Sequence, residues 1–340
     1  MILSPPLRTS VLAILCFCLS GCANLRQVVE KQQRNNNAIK EEEWVTDPFT
    51  PPQRSGKVYN AGNAYTLAKV CQLAFQDDKS TVVEVCREWK LEVLFADLRK
   101  THTQYIILGN KDFTVLAFRA TQSKLGDFVT VLKQAFYETP AQADDRNVYK
   151  DVPGGHAGFR ASAADAVMNG LIEDIRLFRA ATKAGTNAPL FLTGHSLGGG
   201  VALLARPPIE GRGIKVDSIY LYGAPIALVD KGYSEDAKFR RRYETTFFHR
   251  FQGVGAATGI WKRYEHDNVP RLRAASMPYS PPGISYQIFP DGHLEPYPNY
   301  VSLGFGGSLG WGSLWLSNRV TPHNMEKSYL PALKIGSELR

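Results

Sequence analysis

The sequence of 340 residues is poor in cysteine and lacks the signatures of several protein classes. Only five cysteines are present, and none lies in a spacing typical of metal or redox sites, such as CxxC. No segment approaches 18 consecutive apolar residues, so no transmembrane helix is predicted. Neither a phosphate-binding loop nor a cluster of metal ligands is recognisable, and we therefore expect no metal or organic cofactor.

The charge of the chain is modest and mixed in sign. Lys and Arg number 40 and Asp and Glu 32, which gives a net charge of +8. The densest basic run, Lys238–Arg242, is flanked by acidic residues, which is typical of a solvated surface and leaves contact with an anionic membrane as the alternative. No nucleic-acid partner is expected. The hydrophobic fraction of 44% is sufficient for a folded core.

Three of the cysteines lie within the first 22 residues. The apolar stretch Val11–Leu19 is preceded by Arg8 and is typical of a secretory signal peptide. It ends in Leu-Ser-Gly-Cys, which resembles the bacterial lipoprotein cleavage box and implies lipidation of Cys22. We therefore expect a signal peptide over 1–21 and an exported, membrane-anchored lipoprotein of the bacterial cell envelope, in the periplasm or at the outer membrane. An ordinary signal peptide is the alternative.

The remaining chain divides into a tether and a folded domain. Residues 22–58 are polar and rich in Asn, Glu and Pro, which predicts a tether, and residues 59–340 form the predicted domain. Cys71 and Cys86 lie in this domain. After export they could form a disulfide or remain two buried thiols, and the sequence leaves both open.

Hydrophobic periodicity predicts an α/β fold. A strand, a helix and a further strand follow one another around residue 196, which indicates a parallel sheet covered by helices on both faces. Helices are predicted at 61–75, 161–181 and 197–205, the last ended by Pro207-Pro208, and strands at 105–108, 114–118, 189–193 and 216–222.

The most informative segment is Gly194-His195-Ser196-Leu197-Gly198. It is a Gly-x-Ser-x-Gly motif between a predicted strand and a predicted helix. Glycines at the first and last positions relieve crowding at the sharp turn on which a nucleophilic serine must sit. The helix N-terminus would stabilise an oxyanion behind the serine, whereas His195 is expected to be a packing residue.

In this motif the chain resembles the class 3 (fungal-type) lipases of the α/β-hydrolase fold, whose central sheet is mostly parallel. Four further segments are similar to motifs of that family, in family order. They are Thr101–Tyr105 with Val115–Thr121, His156–Phe159, His266–Leu272, and His323–Leu330.

The resemblance implies a Ser196, Asp267 and His323 triad. A serine hydroxyl becomes nucleophilic when a histidine accepts its proton, and a carboxylate fixes the tautomer of that histidine. The order Ser, Asp, His along the chain is the order of this fold. The alternatives are Asp230 or Asp291 as the acid and His293 as the base.

The resemblance also implies an oxyanion hole and a lid. The backbone N–H groups of Leu197 and Thr121 would bind the oxyanion. Ala120 replaces the glycine that the family has before that threonine, which puts the role of Thr121 in doubt. The amphipathic segment Ser123–Tyr137 occupies the position of the family's lid, and an ordinary surface helix is the alternative.

We therefore predict a lipid-anchored serine hydrolase that cleaves carboxylic esters of acylglycerols or phospholipids. This description covers a triacylglycerol lipase, a carboxylesterase and a phospholipase A1. The expected partners are the lipid or ester substrate and the membrane, and no oligomeric state is predicted. Two alternatives remain: an inactive hydrolase-fold lipoprotein that acts as a binding or structural module, and an esterase or acyltransferase of non-lipid esters.

Overall fold

A central sheet of eight strands organises the part of the chain that the structure describes. The computed structural model describes residues 47–98, 103–119, 157–225, 227, 241–251, 283–296 and 325–338. Its helices are α1 (Ala61–Ala74), α2 (Lys79–Glu88), α3 (Ala157–Met168), α4 (Leu171–Ala181), α5 (Leu197–Gly211) and α6 (Leu330–Glu338), the last preceded by a π-helical turn, Met325–Tyr329. Its strands are β1 (Glu92–Leu98), β2 (Thr103–Gly109), β3 (Thr114–Arg119), β4 (Leu190–His195), β5 (Ser218–Tyr222), β6 (Thr246–Phe251), β7 (Ile284–Ile288) and β8 (Leu294–Pro296).

The strands lie in the sheet in chain order, and the central five run parallel. β3, β4, β5, β6 and β7 pair in parallel, whereas β1, β2 and β8 add antiparallel strands at the two edges. The carboxyl ends of the parallel strands therefore meet at one edge, where ligands bind in open α/β sheets. The fold is the predicted α/β-hydrolase fold.

Helices cover both faces of this sheet. Successive residues of a strand point to opposite faces. On one face α1 packs on β3, β4 and β5, and the Tyr222 hydroxyl donates to the Ala64 carbonyl. On the opposite face Leu192 and Leu221 join an apolar core with α3, α4 and α5. α6 packs against α1. No helix within the described ranges is both long and apolar enough to cross a membrane.

The single helix predicted over 161–181 is two helices. α3 ends at Met168 and α4 begins at Leu171, because Gly170 has a φ of +111°, a left-handed conformation that interrupts the helix. The Asn169 side chain donates to the Asp165 carbonyl at 2.8 Å and so satisfies an acceptor at the end of α3.

The prediction that Pro207-Pro208 ends the helix after residue 205 is wrong. α5 continues through both prolines to Gly211. Pro207 has no N–H to donate to the carbonyl of Leu203, four residues earlier. The Tyr243 hydroxyl donates to that carbonyl instead, at 3.4 Å. A tertiary contact therefore replaces the missing backbone hydrogen bond.

The last twelve residues of the predicted tether pack on the domain. Residues 47–58, here termed the strap, contain neither helix nor strand and run along α1. The Phe49 ring stacks on Trp89 with centroids 4.8 Å apart. The Thr66 hydroxyl donates to the Thr50 carbonyl at 2.8 Å. Further contacts join Gln53 to Asn63, through both backbone groups, and Arg54 to Asp217. The compact unit that contains Ser196 begins at Asp47.

The first residue of the strap lies in a charged network. The Asp47 carboxylate accepts from the Lys334 ammonium at 2.9 Å and from the Tyr65 hydroxyl. Burial raises the pKa of Asp47, but these two hydrogen bonds and the charges of Lys334 and Lys69 together outweigh it, and the pKa is lowered. The Lys69 ammonium is buried, donates to the Asp47 carbonyl at 2.8 Å and lies 4.9 Å from the Trp89 ring centroid. Burial lowers the pKa of Lys69 to about 8.

Cys71 and Cys86 are free thiols, both buried. Burial raises the pKa of each to about 12, so neither is reactive at neutral pH. Cys71 Sγ lies 2.9 Å from the Thr193 hydroxyl, which itself donates to the Tyr220 carbonyl. The thiol is therefore the donor in the contact between Cys71 and Thr193. The sequence left a disulfide and two buried thiols open, and the structure contains two buried thiols.

Candidate active site

Ser196 occupies a strained turn between β4 and α5. Its backbone has φ 54° and ψ −127°, and the residue is buried. Among the described residues only Lys90 and Lys183 share a positive φ without being glycine, and each directly follows the last residues of a helix, where that conformation is common. Ser196 lies before a helix, so capping does not account for its strain of about 1–3 kcal/mol. Strain of this kind is typical of functional sites.

The glycines around Ser196 are sterically required. A Cβ atom at Gly194 would lie 2.4 Å from the Gly198 carbonyl carbon, and one at Gly198 would lie 2.2 Å from the Phe118 carbonyl oxygen. A Cβ atom at Gly199 would lie 2.5 Å from the Cβ of Ala224. The predicted function of the glycines at 194 and 198, to allow a tight turn, is therefore what the geometry shows. The N-terminus of α5 consequently lies directly against the end of β3.

Backbone hydrogen bonds hold the turn in place. The Ser196 N–H donates to the Tyr222 carbonyl at 2.9 Å, and the Ser196 carbonyl accepts from the Gly199 N–H at 3.0 Å. Leu197 is the first residue of α5, so its N–H has no partner within the helix. The aligned peptide dipoles add partial positive charge at this end. The location suits a group that binds an oxyanion, as predicted for Leu197.

His195 is a packing residue, in agreement with the sequence. It is buried, and its ring makes edge contacts with two aromatic rings. The centroid of Phe75, at the end of α1, is 5.6 Å away, and that of Tyr329, in the π-helical turn, is 6.0 Å away. His195 therefore connects the serine turn to both α1 and the C-terminal turn.

Arg119 ties the end of β3 to the end of α1. Its guanidinium donates to the Phe75 carbonyl at 2.9 Å and the Gln76 carbonyl at 3.2 Å, and it pairs with Asp77 at 2.6 Å. These carbonyls lie at the C-cap of α1 and one residue beyond it, where no further turn of helix supplies backbone donors. Arg119 thus fixes the strand end that precedes residues 120 and 121.

Comparison with known proteins shows which family the sequence around this turn resembles. Residues 115–275 match the model of the class 3 lipase family. The predicted resemblance to the class 3 lipases is confirmed. The class 3 lipase segment includes Ser196, Thr121 and Asp267, whereas α1 and His323 lie outside it. A comparison with curated protein sequences yields no match.

Solved lipases share the fold. The mono- and diacylglycerol lipase of Aspergillus oryzae is 17% identical, with a TM-score of 0.53, over 75% of this chain and 95% of that one. A mutant form of MDLA from Penicillium cyclopium is 21% identical, with a TM-score of 0.50, over 80% of this chain and 94% of that one. At these identities the likeness concerns the fold.

Most of the other predicted lipase residues lie outside the described residues. This is true of Asp267, His323 and Thr121, of the lipidation residue Cys22 and of the predicted lid, Ser123–Tyr137. Asp230, an alternative acid, is also outside. Ser196 and Leu197 lie within the described residues, and their catalytic roles remain predictions, as do the roles of the other residues.

The alternative pair, His293 and Asp291, is at the surface. Both lie in the turn between β7 and β8, where His293 Nδ1 is 3.1 Å from Asp291 Oδ1 and Nε2 is 3.3 Å from Glu295 Oε1. Hydrogen bonds to Glu295 and Asp291 raise the pKa of His293. β7 is three strands from β4, a separation of about 14 Å at the usual strand spacing. An exposed ion pair accounts for these residues.

Sequence reasoning missed two side chains beside the site. Gln72 of α1 donates through Nε2 to Glu326 Oε1 in the π-helical turn. Glu326 belongs to the His323–Leu330 motif, so the sequence alone could have identified it as a candidate site residue. No local sequence pattern indicates a role for Gln72, because its partner is 254 residues away along the chain. Clusters of His, Cys, Asp and Glu that could hold a metal are absent from the described ranges.

Proposed function

We propose that the protein is a serine hydrolase that cleaves carboxylic esters of acylglycerols or phospholipids. The observation that carries the proposal is Ser196, held with a positive φ at a glycine-lined turn between β4 and the N-terminus of α5. The class 3 lipase match over residues 115–275 supports ester hydrolysis. The name of the Aspergillus relative, a mono- and diacylglycerol lipase, supports acylglycerols as the substrate class.

The proposed reaction proceeds through an acyl-enzyme. Ser196 Oγ attacks the ester carbonyl carbon while His323 accepts the hydroxyl proton, and Asp267 orients His323. The carbonyl oxygen becomes an oxyanion, bound by the backbone N–H groups of Leu197 and Thr121. The intermediate collapses, and the alcohol leaves with the proton held by His323. A water molecule then releases the carboxylic acid by the same steps and regenerates Ser196.

Support for the second donor comes from the packing of the strand end. The N-terminus of α5 is in contact with Phe118, and Thr121 follows three residues later. Arg119 anchors that strand end through three hydrogen bonds. We therefore propose the backbone N–H of Thr121 as the second oxyanion donor.

The proposal is tested by substitution of the nucleophile. Ser196→Ala is expected to abolish hydrolysis of a short-chain p-nitrophenyl ester, since loss of a triad serine costs on the order of 10⁶ in kcat. The variant is also expected to lose labelling by a fluorophosphonate, which forms a bond between serine oxygen and phosphorus as fluoride leaves. Ser285→Ala, at a buried serine of β7, is the matched control and should retain both activities.

The outcomes separate the alternatives. Unchanged turnover in Ser196→Ala would overturn the mechanism. A wild-type chain that folds but fails to react with the fluorophosphonate would indicate the binding or structural module. A panel of triglycerides, phospholipids and soluble esters distinguishes a lipase from an esterase of non-lipid esters.

We also propose that the protein is exported and anchored to a bacterial membrane through a lipid on Cys22. The signal-like segment and the Leu-Ser-Gly-Cys box support this proposal. Twenty-four residues separate Cys22 from Asp47, the start of the compact unit. Attachment through Cys22 would hold the protein at the bilayer that contains its proposed substrate.

A further inference from the structure

The C-terminal end of α1 and the two residues after it lie where three parts of the site meet. This segment, residues 72–76, is termed the α1 turn below. It lies outside the class 3 lipase segment, 115–275. Its contacts involve the serine turn, the end of β3 and the C-terminal π-helical turn, which come from distant parts of the chain.

The first contact is with the serine turn. The Phe75 ring packs edge-on to His195, the residue before Ser196, with centroids 5.6 Å apart. His195 is 7% exposed, so this packing restricts its ring. Because β4 ends at His195, the contact fixes the direction in which the chain enters the strained turn.

The second contact is with the end of β3. The Phe75 and Gln76 carbonyls accept hydrogen bonds from Arg119, whose side chain is only 10% exposed. Hydrogen bonds from a charged donor are roughly twice as strong as neutral ones. The α1 turn thereby holds the strand end two residues before Thr121, the proposed second oxyanion donor.

The third contact is with the C-terminal turn. Gln72 is 8% exposed, and its amide donates to the carboxylate of Glu326. Glu326 follows His323, the proposed general base, by three residues. The ring of Tyr329, in the same π-helical turn as Glu326, packs edge-on to His195 and closes the same assembly.

We propose that Gln72 is a positioning residue of the hydrolase, and that the α1 turn sets the relative placement of the segments that carry Ser196, Thr121 and His323. This inference rests on the proposed function. Triad groups must be held to within about 0.5 Å of their productive geometry. Three segments that all contact the same helix end are held in fixed positions relative to one another, which three independent loops would not be.

The test is a substitution that reverses the Gln72 contact. Gln72→Glu places two carboxylates together, and their repulsion displaces the C-terminal turn. We expect kcat for a p-nitrophenyl ester to fall by about 10- to 100-fold, the range associated with displacements near 1 Å, while KM changes less than about twofold. The rate of labelling by a fluorophosphonate should fall in parallel, because it depends on proton transfer from Ser196. Gln72→Met, which removes the donor without adding charge, should act in the same direction.

A swap variant and a matched control distinguish positioning from folding. Gln72→Glu combined with Glu326→Gln restores a donor and an acceptor in exchanged positions, and should recover most of the lost kcat. Thr66→Val is in the same helix and loses its hydrogen bond to the Thr50 carbonyl. It should lower Tm and leave kcat unchanged.

The inference is overturned if Gln72→Glu and Gln72→Met lower kcat no more than Thr66→Val does, or if the loss persists in the swap variant. Ser196→Ala is measured alongside. If that variant keeps its fluorophosphonate labelling, the proposed function fails. If it loses labelling and the Gln72 variants behave as wild type, the positioning role alone fails.

Discussion

At the scale of single residues, the turn at Ser196 depends on glycines, which have no Cβ atom. Gly194 and Gly198 lack a Cβ where no space for one exists, and Ser196 tolerates a conformation that other residues avoid. The positions of these glycines could be predicted, because a Gly-x-Ser-x-Gly spacing has a steric explanation. The strand that Gly198 contacts could not be predicted, since Phe118 lies 80 residues before Gly198 and only the folded sheet brings them together.

Gly198→Ala is predicted to damage the site directly. The new methyl group would lie 2.2 Å from the Phe118 carbonyl oxygen, so α5 or β3 must shift. Overpacking of this kind costs about 1–3 kcal/mol, and the shift moves the Leu197 N–H away from the serine. We expect a lower free energy of unfolding in urea and at least a tenfold slower ester hydrolysis.

Gly185→Ala is the comparison for this prediction. A Cβ at Gly185 meets no atom within 4 Å, so both measurements should remain close to wild type. Equal behaviour of the two alanine variants would contradict the steric role of Gly198.

At the scale of helices and strands, a prediction from local sequence failed where a tertiary contact compensated for an unfavourable residue. Prolines at 207 and 208 predict the end of a helix, yet α5 continues because Tyr243 supplies a donor from outside it. Gly170, by contrast, interrupts a pattern whose periodicity alone predicts one helix. The hairpin of β2 and β3 was predictable because its two short apolar runs and the Gly109-Asn110 turn between them are local signals.

The role of Tyr243 predicts a coupling between two substitutions. Tyr243→Phe removes the donor to the Leu203 carbonyl and should lower the free energy of unfolding by about 1 kcal/mol. In a Pro207→Ala background the backbone N–H of residue 207 can donate to the same carbonyl. Tyr243→Phe should then cost less.

A double-mutant cycle by urea denaturation measures this difference. Equal costs of Tyr243→Phe in the two backgrounds would show that the hydroxyl does not compensate for Pro207.

At the scale of the whole molecule, the sequence predicted one catalytic unit and the fold that builds it. Residues 47–58, which the sequence assigns to the tether, belong to the unit that begins at Asp47. The strap is polar and proline-containing, and its composition predicts a tether. Its contacts are side-chain contacts with α1, Trp89 and Lys334, which no local pattern reveals.

Membrane attachment is a property of the whole chain and has its own test. Cys22→Ser removes the proposed lipidation site, so the protein expressed in a bacterial envelope should move from the membrane fraction to the soluble fraction. Turnover of a soluble p-nitrophenyl ester should be unchanged, since Cys22 lies outside the unit, Asp47–Arg340, that contains Ser196. The measurement is fractionation followed by the soluble-ester assay.

Cys16→Ser, within the predicted signal peptide, is the control and should leave the distribution unaltered. Equal membrane association of the Cys22→Ser variant and the wild type would contradict the anchor.

The bond between Gln72 and Glu326 also determines when the site can be complete. Its partners are 254 residues apart, so α1 leaves the ribosome roughly 10–50 s before the turn that it contacts. Lys334, which binds Asp47 of the strap, is made later still. A chain that is still being synthesised therefore lacks the contacts that join α1 to the π-helical turn and to α6, and the contact proposed to place His323 forms only after Glu326 has been made.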